Sequence, residues 1–161
     1  MTNLEFCIAC RKAERATFVR VLKAIPKGRS DYRPDPKART ASQLAWVLAT
    51  EEAALASLIK EGVVEWKDSD PPDDLDKVVA AFEKSSAEVN ERMEKLDEAA
   101  WNKKVRFLME GGGAWEDTLD KMVWGFLFDA IHHRGQLSTY LRPMGGKVPS
   151  IYGPSADDPG K

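Results

Sequence analysis

Soft metal ligands are scarce in this sequence, which holds two histidines and two cysteines in 161 residues. Cys7 and Cys10 make a single C-x-x-C near the N-terminus. A redox pair of that spacing normally follows a strand, and a zinc site needs more ligands than the chain offers. They read as two small apolar residues on one helix. No apolar run approaches the length of a membrane span, and the N-terminus lacks a basic-then-apolar signal pattern. Neither charge sign dominates: 24 Lys and Arg face 26 Asp and Glu, for a net −2. That balance leaves no footprint for nucleic acid or an acidic membrane surface. A cytoplasmic protein is expected, with no nucleic-acid or membrane partner. Strand-like alternation, internal repeats and a second domain are also missing.

What remains is helical patterning in an ordinary globular composition, 43% hydrophobic and 31% charged. The first predicted helix runs from about Leu4 to Ile25 and is stopped by Pro26 and Gly28. A charged, proline-rich loop follows to Arg39, where Asp31, Tyr32 and Arg33 are candidate ligand contacts. The second helix opens on Thr40 and Gln43 at capping-box spacing and stops at Gly62. Its apolar stripe is Leu44, Val47, Leu48, Leu55, Leu58 and Ile59. Residues 63–72 read as a loop, and Asp73 or Asp74 caps the third helix, which continues to about Leu96. Residues 101–108 read as an irregular connection. Gly111 to Gly113 lack the Lys-Ser/Thr of a phosphate loop and read as a flexible lead. The fourth helix spans Ala114 to Arg142, with Glu116, Asp117 and Asp120 placed against its dipole. Tyr152 is the one large aromatic of the tail and a candidate anchor for it. The expected fold class is all-α, a single-domain four-helix bundle over residues 1–161.

The chemistry concentrates on the fourth helix. Asp129 and His133 stand one turn apart on the flank of its buried stripe, whereas His132 points away. Glu51 falls in the apolar stripe of the second helix, where a carboxylate is costly unless paired, hydrogen-bonded or metal-bound. Its neighbour Glu52 reads as a surface charge. Three arrangements fit Glu51, Asp129 and His133. One is a metal site for zinc, nickel, manganese or iron. Another is a metal-free hydrogen-bond network in which Asp129 holds His133 and Glu51 meets Arg134, Tyr140 or water. The last is a general base, His133, oriented by Asp129. A di-iron site is excluded, because the chain has no Glu-x-x-His. Trp124, Phe128 and Ile131 form a second apolar face on the same helix, which predicts a homodimer through it.

The segment HHRGQLSTYLR followed by GGKVPSIYGPSADD resembles the C-terminal signature of the DinB-like (YfiT-like) four-helix-bundle proteins. ARTASQLAWVLATEE resembles their second-helix segment. The resemblance implies a metal-dependent enzyme family with three metal-binding histidines, and here those positions read Val47, Asp129 and His133. It therefore implies an altered metal site that binds zinc or nickel weakly or not at all. Substituting both Val47 and Asp129 by histidine would rebuild it. Two functions follow as expectations. One is a stress-related or small-ligand-binding protein. The other is a metal-dependent hydrolase or thiol S-transferase that works with Glu51, Asp129 and His133.

Overall fold

Four of the five helices among the described residues begin where a side chain satisfies a free amide of the first turn, the last helix being the exception. In the computed structural model, which describes residues 1–160, Thr2 caps α1 (Asn3–Lys23) and Thr40 caps α2 (Ala41–Glu61). Each forms a reciprocal capping box, with Glu5 and Gln43 reaching back to the cap amide. Gly62 ends α2 at φ +74°, a left-handed position that only glycine takes without strain. Asp74 caps α3 (Leu75–Met93) and Asp97 caps the one-turn α4 (Glu98–Trp101). The last helix, α5 (Leu119–Leu141), carries the two histidines. The four long helices pack in a ring, α2 lying against α3 and α5, and α1 against the same two. Among the described residues no helix is long and apolar enough to cross a membrane.

The all-α expectation needs correction. A three-stranded sheet, β1 (Val63–Glu65), β2 (Lys104–Leu108) and β3 (Ala114–Thr118), stands beside α2 and α5. β1 runs parallel to β2 with Val63 opposite Arg106, and β2 runs antiparallel to β3 with Phe107 opposite Trp115. The glycine run is the turn of the β2–β3 hairpin, not a flexible lead. Gly111 and Gly112 take φ +91° and +100°, and the Met109 amide donates to the Gly113 carbonyl at 2.7 Å. Helix α5 therefore starts five residues later than expected. Glu116 and Asp117 belong to β3, leaving Asp120 alone in the first turn.

Glu52 also departs from expectation. It is buried and ion-paired with the equally buried Arg11 of α1 at 2.5 Å. Ala45, Ala49, Glu52 and Ala56 form a second buried stripe at helical spacing, so α2 is covered on two sides. Glutamates 51 and 52 thus both enter the interior, in different directions. Burial pushes the Glu52 carboxyl up, and the Arg11 guanidinium pulls it back. Cys7 is fully buried and its thiol is pushed up to about 12, mainly by burial, so it is no nucleophile at neutral pH.

The apolar strip expected at a dimer interface is partly covered within the chain. Phe6 of α1 lies against Trp124, whose indole donates to the Asn3 side chain, and Ile131 packs on the core. Phe128 stays 62% exposed, stacked on Trp124.

Arg11→Met strands Glu52 in the interior and should cost roughly 3–5 kcal/mol by urea denaturation. Adding Glu52→Leu should recover most of that loss. A double variant no more stable than Arg11→Met would show that the pair does not carry this cost.

Candidate metal centre and ligand cavity

Glu51, Asp129 and His133 come together. One ligand atom from each lies within 4.8 Å of the others. His133 Nε2 is 3.7 Å from Glu51 Oε1 and 3.6 Å from Asp129 Oδ2. These separations exceed a hydrogen bond. Donors held 2.0–2.2 Å from one tetrahedral ion sit about 3.4 Å apart, so the spacing is close to that of a ligand set. Glu51 stands four residues beyond Val47, about 6 Å along the axis. Its longer side chain makes up the distance, while Val47 lines the same cavity.

Each donor has a distinct environment. Glu51 is buried, and its Oε2 has no hydrogen-bond partner among the described residues. Its carboxyl is pushed up to about 9, first by burial and then by the adjoining Asp129 carboxyl and the charge of Glu52, with Arg39 pulling the other way. Without a cation, Glu51 holds a proton at neutral pH. Asp129 is at the mouth, its side chain 57% exposed. His133 is buried, and its Nδ1 lies 2.8 Å from the Gln136 Oε1. A carbonyl oxygen there accepts from Nδ1–H, which leaves the Nε2 lone pair aimed at the two carboxyl groups. Gln136, not Asp129, therefore orients the imidazole.

The metal-free network is corrected in its partners as well. Arg134 is buried against Glu14 and the rings of Phe18 and Tyr152, with its guanidinium donating to the Tyr152 hydroxyl at 2.5 Å. Arg134 does not hold Glu51: it ties α5, α1 and the tail together, which gives Tyr152 its anchoring role. Tyr140 packs edge-on against Tyr32. Asp31 and Arg33 are exposed and line none of the site.

Above the three donors opens a cavity of about 490 Å³. The sheet that sequence reasoning missed supplies much of its wall, through Phe107, Met109 and Trp115, joined by Trp66 just beyond β1 and Phe126 of α5. Trp66 meets Phe107, and Phe107 meets Phe126 edge-on at 5.6 Å. Gly125 lets Trp115 lie over α5, since a Cβ there would be 3.0 Å from the indole. Arg39 stands at the rim, immediately before α2. Gln136 lay three residues beyond His133 in the sequence, a spacing that already placed it beside the imidazole. The aromatic wall left no such local signal.

A model of the DinB family matches residues 2–160. No curated protein matches. Among solved structures, a DinB-like protein from Bacillus cereus superposes with a TM-score of 0.77 at 16% identity, over 92% of this chain and 97% of the other. One from Bacillus subtilis gives 0.66 at 19% identity, over 86% and 91%. A variant of the mycothiol-dependent maleylpyruvate isomerase gives 0.58 at 14% identity, over 90% of this chain and 62% of the isomerase. At these identities the likeness is one of fold.

The raised Glu51 carboxyl sets a pH dependence. Below about pH 4.5 the group is protonated folded and unfolded alike; as pH rises toward 9 only the unfolded chain ionises, so stability falls. In chelator-treated protein, Glu51→Gln should therefore gain on wild type steadily between pH 5 and 9 by thermal melting. A constant difference across that range would contradict the assignment.

Proposed function

The chain belongs to the DinB family, and on that footing we propose that it binds a small molecule over a divalent transition-metal site held by Glu51, Asp129 and His133. The observation that carries the reading is the buried Glu51 carboxyl, with Oε2 unpartnered and Oε1 3.7 Å from His133 Nε2, clustered with Asp129 and lining an open cavity. The donor set of two carboxylates and one imidazole suits zinc, nickel, manganese or iron. Glu51 takes over from the histidine expected at Val47, and Asp129 from the one expected at its own position. Binding is then stronger than the loss of two histidines suggests.

A bound metal would supply Lewis acidity toward a substrate oxygen, or lower the pKa of a thiol or water. The chain's own residues do the rest. His133 presents Nε2 in the tautomer fixed by Gln136, Glu51 surrenders its proton to bind, and the aromatic wall offers the bound molecule an apolar face. The name of the mycothiol-dependent isomerase offers a thiol as precedent for the activated group. Metal-assisted thiol transfer is thus the enzymatic form of this reading, and simple ligand binding its non-catalytic form.

Self-association is part of the proposal. Phe6 is 50% exposed and Phe128 62% exposed, on either side of Trp124, and a second copy would cover them. Light scattering at micromolar concentration should give twice the chain mass, falling to one chain in Phe128→Glu; a monomeric wild type would refute it.

Because Glu51 must deprotonate to bind, zinc titration of chelator-treated protein at pH 7 should release about one proton per metal, read from calorimetry in two buffers. His133→Ala should abolish binding, and Gln136→Leu should weaken it about tenfold or more without abolishing it. Tight binding by His133→Ala would place the metal elsewhere.

A further inference from the structure

The cavity walls also speak to what lies over the donors. Trp66, Phe107, Trp115 and Phe126 offer a nearly continuous aromatic surface, and Trp115 is left 44% exposed. Arg39 is the one arginine or lysine on the lining; its charge acts on the Glu51 carboxyl, but among the described residues it makes no hydrogen bond or close ion pair. A second cavity of about 260 Å³ shares Arg39, Val47 and Trp66 with the first, and Asp68 and Asp70 line it. Arg39 therefore stands between a second chamber lined by Asp68 and Asp70 and an aromatic chamber whose own acidic groups, Glu51 and Asp129, cluster with His133.

We propose that the main cavity receives a flat apolar molecule bearing one carboxylate, its rings against Trp66, Phe107, Trp115 and Phe126 and its carboxylate on Arg39. The inference rests on the cavity being the ligand site, as proposed above, and it adds the class of ligand. Planar aromatic faces favour a planar partner through stacking and edge-on contacts. An unpaired guanidinium forks onto a carboxylate through two parallel hydrogen bonds, a geometry that a neutral amide cannot match. Asp68 and Asp70 repel an anion from the second chamber, whereas Phe107, Trp115 and Phe126, which would hold the ligand body, line only the first. Aromatic faces also attract cations. Arg39 opposes a cationic ligand, which separates this chamber from a cage built for ammonium groups.

The test uses three probes of matched shape, 2-naphthoate, 2-naphthamide and 2-naphthylmethylammonium, titrated calorimetrically into the full chain. Each is measured on chelator-treated and on zinc-supplemented protein. In both states, naphthoate should bind about tenfold or more tightly than naphthamide, the scale of a charge-assisted hydrogen-bond pair. Arg39→Gln should erase that preference, and Arg39→Lys should keep part of it. Trp115→Ala should weaken naphthoate and naphthamide by the same factor. Arg39 and Trp115 are both surface-accessible, so neither change threatens folding.

A preference seen only with zinc and indifferent to Arg39→Gln would put the carboxylate on the metal and overturn the proposal. Tighter binding of the ammonium probe, or no binding of any probe in either state, would also overturn it. If zinc itself fails to bind while the Arg39-dependent preference stands, the metal reading falls and the ligand class survives.

Discussion

A carboxyl group buried in an apolar stripe is the constraint on which this structure turns. Glu51 sits in the apolar stripe of α2, where an isolated negative charge would be far from stable. Burial pushes that carboxyl toward its neutral form, and a cation beside it would hold it ionised. Everything nearby follows from that choice. His133 keeps Nε2 free because Gln136 takes Nδ1, and Asp129 adds a second carboxyl from the solvent side. The three donors belong to two helices, so their spacing is set by how α2 lies on α5.

That packing is held by polar contacts that the site does not use. Arg11 meets Glu52 on the other buried stripe of α2, and Arg134, the residue after His133, is locked against Glu14, Phe18 and Tyr152. Two adjacent pairs, Glu51 with Glu52 and His133 with Arg134, therefore divide the same labour. One member of each faces the cavity, and the other pins the helix to α1. A rigid scaffold beneath a preorganised donor set is what a metal or ligand site needs.

The helices were legible because their signals are local. The capping box at Thr40 and the turn glycine at Gly62 lie within a few residues of the structure they direct. The cluster of Glu51, Asp129 and His133 was legible for the same reason: the spacing of Asp129 and His133, and a charge out of place at Glu51. The sheet was not. β1 pairs with β2 across the whole of α3, and strands of three and five residues carry little alternation. Glu116 and Asp117 imitate the acidic first turn of a helix while lying in β3. Glu52 was misread because an alanine stripe such as Ala45, Ala49 and Ala56 gives a weak hydrophobic signal, although small residues are what allow close packing. The cavity wall was out of reach because Trp66, Phe107 and Trp115 meet only once that sheet has formed.

The central claim is that these three side chains form one metal site. Cobalt(II) titrated into chelator-treated protein reads it directly, since the visible spectrum reports both occupancy and coordination. One equivalent should bind per chain and be displaced by zinc. The cobalt spectrum should change in Glu51→Gln and vanish in His133→Ala. A spectrum that both substitutions leave untouched, or no saturable binding at all, would contradict the account.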